Sequence, residues 1–231
     1  MPWFKRSSAL APALPFSYIE MGLIYRRLDN YAKAEQWLNN AFELQPHNFE
    51  TNAGLINCYL EQGKYQQAIE QSQKWLSMVP NNSYVLAKAG DAELFCGNYE
   101  QAQQYYQKSI EIHSTRGNLI GLGYIYWKKG QLDEAQKLFN QVRILCRKRL
   151  EQGNESPSVP YNIAAIYAIQ GKKKEAYKWL KKAIDAGGLY FRYQSRDPML
   201  ENLHEDEQFK QMIAEVKEMV YEMRKRIEKN D

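Results

Sequence analysis

The stretch from Asn30 to Pro46 reads NYAKAEQWLNNAFELQP, and it returns in register as KYQQAIEQSQKWLSMVP at Lys64 to Pro80. Three further copies follow: NYEQAQQYYQKSIEIHS at Asn98 to Ser114, QLDEAQKLFNQVRIL at Gln131 to Leu145, and KKKEAYKWLKKAI at Lys172 to Ile184. The alanines they share, Ala34, Ala68, Ala102, Ala135 and Ala176, stand 34, 34, 33 and 41 residues apart. A period of this length marks one supersecondary unit used repeatedly, each copy burying its apolar face only against its neighbours.

Each unit reads as a pair of helices. The first carries apolar residues at helical spacing, as in Tyr18, Met21, Gly22 and Tyr25, or Leu119, Leu122, Gly123 and Tyr126. It stops at a loop residue: Asp29, Gly63, Gly97, Gly130 or Gly171. The second runs through the shared alanine towards Pro46 or Pro80, with Ser114 standing in their place in the third unit. Small residues at Gly22, Gly90, Gly123 and Ala164 allow the paired helices to approach closely. Trp75 stands where Ala41 and Ala183 stand in their units, so packing should differ there. The longer last interval holds CRKRLEQGNESPSVP, read as a helix extended to about Gln152 and then a loop.

These residues resemble the tetratricopeptide repeats, whose pattern is Trp or Tyr, Leu-Gly, Tyr, a loop Gly, Tyr, Ala, Phe, Ala and Pro over about 34 residues. The resemblance covers roughly residues 15 to 190. It implies an all-α, right-handed α-solenoid with units at 15–48, 49–82, 83–115, 116–156 and 157–190. It also implies that the first helices line a concave face that binds a partner's peptide or protein segment. The groove residues are then Leu23, Arg26, Arg27, Asn57, Lys88, Asp91, Phe95, Tyr124, Trp127, Lys128, Tyr161 and Asn162. Half-exposed aromatics in a concavity, here Phe95, Tyr124, Trp127 and Tyr161, are recognition anchors. The competing reading is that neighbouring repeats or the chain's own tail cover them. Chaperone-binding members of the family hold a terminal carboxylate with a Lys and an Asn one turn apart on the first groove helix. The pair here is Ile19 and Leu23, so that clamp is absent from this position.

Composition fits a folded chain rather than a disordered one: 231 residues, 44% hydrophobic and 25% charged. No window supplies the roughly 18 to 20 apolar residues of a membrane helix, and the start lacks an apolar signal core. Cys58, Cys96 and Cys146 are odd in number, distant and without a CxxC pair, which points to a reducing, cytoplasmic compartment. The sequons at Asn81 and Asn154 are then chance matches.

No catalytic or cofactor constellation emerges. His47, His113 and His204 have no Cys or carboxylate at ligand spacing, and the GLG of Gly121 to Gly123 lies within a helix rather than after a strand. The formal charge is +4. Basic runs at Arg143, Arg147, Lys148 and Arg149, and at Lys172 to Lys174, Lys178, Lys181 and Lys182, are interleaved with Glu134, Glu151, Glu175 and Asp185. That interleaving reads as a solvated outer face, not a nucleic-acid or membrane surface.

Beyond Gly187 and Gly188 the period ends. Asp197 and Pro198 open a short helix with Met199, Leu200 and Leu203. A longer helix from about Asp206 carries Phe209, Met212, Ile213, Val216, Val220, Met223 and Ile227 as one apolar stripe. Residues 191–231 are read as capping helices, with self-association along that stripe, or through an open repeat edge, as the alternative. The DPxLxxLxxDxxF pattern resembles tails that close repeat arrays in bacterial multidomain proteins, so a third reading is a regulatory region of a larger enzyme or signalling protein. At the other end, FKRSSALAP (Phe4 to Pro12) aligns with the closing turns of a repeat, because Pro12, Pro46 and Pro80 are spaced by 34 and 34. Residues 1–14 are therefore either the remnant of an upstream repeat or an N-terminal cap.

Overall fold

The computed structural model describes residues 15 to 229, so the expectation for Phe4 to Pro12 lies outside the described residues. Ten helices form five consecutive pairs: α1 (Pro15–Arg27) with α2 (Tyr31–Leu44), α3 (Phe49–Gln62) with α4 (Tyr65–Met78), and α5 (Ser83–Cys96) with α6 (Tyr99–Ile112). The last two pairs are α7 (Arg116–Lys128) with α8 (Leu132–Glu151), and α9 (Ser158–Ile169) with α10 (Lys173–Asp185). Each helix packs on its partner and on the next pair, giving a right-handed α-solenoid with no strand among the described residues. Beyond the pairs come α11 (Phe191–Gln194), a 3₁₀ helix (Pro198–Leu203) and α12 (Glu207–Glu228).

Close approach within pairs depends on a small residue meeting a large one. A Cβ built on Gly22 would lie 2.5 Å from Leu38 Cγ, one on Gly90 2.7 Å from Tyr106 Cε1, and one on Gly123 2.6 Å from Phe139 Cε1. The second pair reverses the sizes. Ile56 occupies the register of Gly22 and Gly90, while Ser72 takes the register of Leu38 and Tyr106. The volume that Ser72 lacks is supplied one turn on by Trp75, which is fully buried and meets Phe49 and Tyr84 edge to face at 5.2 and 5.8 Å. This exchange explains how the repeat tolerates a Trp at a small position.

Helix starts and stops follow local chemistry. Asn48 Oδ1 accepts from Thr51 N at 2.9 Å, Asn82 Oδ1 from Tyr84 N at 2.9 Å, and Thr115 with Asn118 forms a reciprocal capping box. First helices turn into second helices through a left-handed residue, which is glycine at Gly63, Gly97, Gly130 and Gly171. In the first pair that position is Asp29, at φ +57° and the sole non-glycine with positive φ among the described residues.

Helix α8 spans 20 residues, overrunning the 13 or 14 of the other second helices. The 3₁₀ helix and the start of α12 close the array, placing Met199, Leu200, Leu203 and Phe209 in one core with Ile163, Ile166 and Leu180 of the last repeat. Val216 and Val220 of α12 clamp Phe191 from outside.

Candidate functional site

The concave face is built by α1, α3, α5, α7 and α9, and a segment from beyond the last repeat lies in it. After the break at Gly187 and Gly188, the chain turns back so that α11 packs against α3 on one side and α12 on the other. Arg192 donates from Nε and Nη2 to the two carboxylate oxygens of Asp29, the latter at 2.9 Å, and its guanidinium lies 5.6 Å from the Tyr31 ring. The Tyr193 ring sits 5.0 Å from Phe95 and 6.4 Å from Tyr161. Tyr190 accepts from Arg27 Nε at 3.2 Å, and Arg26 stacks on its ring at 5.2 Å. The segment is anchored at its far end by Asp197, whose carboxylate accepts from the Tyr161 hydroxyl and from Met199 N.

For Phe95 and Tyr124 this arrangement corrects the expectation of half-exposed aromatic anchors, while Trp127 and Tyr161 are half-buried. Phe95 is 7% exposed and Tyr124 1%, so neither offers a free surface. Tyr193 covers Phe95, and Tyr124 lies in the same core as Met199, Leu200 and Leu203 of the tail. Trp127 is half-buried against Phe139 at 6.2 Å, and the neighbouring Lys128 pairs with Glu201 of the tail at 3.0 Å. Leu23 is half-buried in the core of the first pair. Asn162 lines a different hollow beside His113, Arg116, Lys148 and Arg149.

What remains open is lined by polar and apolar groups together. Arg26, Arg27, Asn57, Lys88 and Tyr161 converge on one cavity of about 360 Å³, shared with Glu61, Tyr190 and Tyr193. Arg26 and Glu61 form a buried pair at 3.0 Å, with 10% and 3% of their side chains exposed. Burial raises the Glu61 carboxyl above the usual carboxylate range while Arg26 opposes that rise. Burial likewise works against the charge of Lys88, but Asp91 at 2.7 Å more than offsets it and holds the ammonium protonated. Asp91 also accepts from the Tyr106 hydroxyl at 2.8 Å, linking this wall to the core. Arg26 Nε reaches no partner. The cavity is therefore lined by Arg26 and Lys88, each already paired with a carboxylate, and by Arg27, beside the rings of Tyr161, Tyr190 and Tyr193.

Sequence reasoning missed Tyr190, Arg192 and Tyr193 as groove residues. They follow the last repeat without a period of their own, and the only signal was an aromatic-rich LYFRY run after a double glycine.

Comparison with known proteins agrees with the architecture. Tetratricopeptide repeat profiles match residues 25–90, 84–114, 118–142 and 161–186. Superkiller protein 3 of Schizosaccharomyces pombe is 24% identical over 214 residues, covering 81% of this chain and 15% of its own. The tetratricopeptide repeat-containing protein trd-1 of Caenorhabditis elegans is 24% identical over 162 residues, covering 69% of this chain and 19% of its own. The chain thus spans less than a fifth of the length of either relative. In the crystal structure of the APC/C hetero-tetramer Cut9-Hcn1, a chain at 14% identity superposes with a TM-score of 0.64, over 94% of this chain and 45% of that one. Helix pairs in register, the small-to-large contacts between them and the matched profiles lead to one conclusion: the chain belongs to the tetratricopeptide repeat family.

Proposed function

We propose that this chain is a non-catalytic protein-interaction scaffold that receives a peptide segment of a partner on its concave face. The observation that carries the reading is the docked Tyr190–Gln194 segment. It occupies the groove with ring contacts, an arginine over a ring and charge-assisted hydrogen bonds, none of which needs a covalent link to the repeats. The open cavity beside it, lined by Arg26, Arg27, Asn57 and Lys88, gives a partner segment room to extend. Among the described residues no helix is long and apolar enough to cross a membrane, and the free cysteines suit work in a reducing cytoplasm.

A photo-crosslinking amino acid at Asn57, in cells that make the chain, tests this. The reading expects one discrete adduct that disappears with Lys88→Glu; no adduct, or one indifferent to Lys88, sinks it. A second reading, self-association, is favoured by the exposed Met219, Tyr221 and Met223 on α12, at 43%, 55% and 45%. Sedimentation separates the two: a wild-type monomer removes self-association, and a dimer that M219E/M223E dissociates supports it.

A further inference from the structure

We infer that the concave face is selective for a segment in which an arginine is flanked by aromatic residues. The chain's own Tyr190–Tyr193 is the resident example that a partner segment of the same chemistry replaces. The inference rests on the scaffold reading above and adds the partner's chemistry to it.

Three of the four side chains in this stretch are held by the repeats, and each contact depends on chemistry rather than on chain connection. Asp29 grips the Arg192 fork through both oxygens, Phe95 and Tyr161 take Tyr193 between them, and Arg26 with Arg27 takes Tyr190. Phe191 points the other way, to Val216 and Val220, so the face presented to the groove reads Tyr, Arg, Tyr.

A second observation is independent of the docked segment. The left-handed loop position that is glycine in four repeats is aspartate in the first, where a side chain is strained. The one repeat that departs from glycine is the one whose loop carboxylate meets the guanidinium. With Glu61 already paired to Arg26, Asp29 is the carboxylate left to receive a cation at this end of the groove.

The attachment is also reachable by a competitor. The Arg192 side chain is 37% exposed, so a competitor can reach the ion pair. Release of the segment from the break at Gly187, at φ +89°, also frees Phe191 from Val216 and Val220, while α12 keeps its hold on the last repeat through Phe209.

The test uses the full chain and a fluorescent peptide, LYFRYQSRD, copied from residues 189 to 197. R192S/Y193S should vacate the groove and bind the peptide at least tenfold more tightly than wild type does. A peptide with glutamate in place of its first arginine should lose at least tenfold on that variant, and adding Asp29→Lys should reverse the preference. Equal binding by wild type and variant, or no reversal, overturns the inference. If R192S/Y193S loses its helical circular dichroism, Arg192→Gln carries the same comparison, with about a threefold gain expected and no gain overturning. A wild-type dimer that R192S/Y193S converts to monomer would assign the segment to a neighbouring copy and also overturn it. A peptide that fails while the Asn57 adduct persists removes this inference alone; a peptide that binds as expected with no adduct removes the scaffold reading instead.

Discussion

Asp29, in the loop of the first repeat, and Arg192, beyond the last, are 163 residues apart in sequence and joined by two hydrogen bonds between carboxylate and guanidinium. Asp29 holds a left-handed backbone to make this contact, which costs an L-residue about 1 kcal/mol relative to glycine. An ion pair this open to water returns about 1 kcal/mol at most.

Asp29→Gly should therefore leave global stability within about 1 kcal/mol of wild type, because the two effects oppose. Amides of residues 189 to 195 should nevertheless exchange faster by hydrogen-deuterium mass spectrometry. Unchanged protection in that segment would mean that the ion pair does not hold it.

Gly123→Ala should destabilise by about 1 to 3 kcal/mol, since the added methyl would sit 2.6 Å from a Phe139 carbon in a packed core. Combining it with Phe139→Leu should cost less than the sum of the single changes. Strict additivity in urea denaturation would contradict the contact.

Tyr124→Ala should cost about 3 to 5 kcal/mol, as its ring is buried among tail and repeat residues. Trp127→Ala, half-buried at the rim, should cost clearly less. Thermal melts followed by circular dichroism decide the order, and a reversed order would show that Trp127 is the core residue.

The carboxyl of Asp197 is pushed up to about 6 by burial, against the opposing hydrogen bonds from Tyr161 and Met199 N, with nearby Asp91 adding to the rise. Its folded value lies above its unfolded one, so its stabilising contribution is complete below about pH 4 and is lost as pH climbs through about 6. Comparing chemical denaturation of wild type and Asp197→Asn isolates the group from others that titrate. The wild type should lose stability relative to the variant between pH 4 and 7, and a constant difference would contradict the burial.

The five-unit register, and the small residues at Gly22, Gly90 and Gly123, were legible because each repeat buries only its own face and its neighbour's, so local spacing carries the information. The size exchange of Ile56, Ser72 and Trp75 was half legible: Trp75 stood out as a departure, but its compensation by Ser72 needs the paired helices in space. The cover over Phe95 and Tyr124 could not be read this way. It comes from residues with no period, meeting partners a whole array away, and a lone aromatic at helical spacing has the same signature whether or not something lies on top of it. Asp29 read as an ordinary loop residue for the same reason.

A solenoid left open is a spring, compliant to bending because each repeat touches only the next. Here Leu189 to Asp197 acts as a tie-rod across the coil, fixed to the far end at Tyr161 and to the near end at Asp29. Force drawing the two ends apart would load that rod before it loads any helix interface. The molecule should thus resist opening until the Arg192 pair and the Tyr190 and Tyr193 contacts beside it let go, and be supple afterwards.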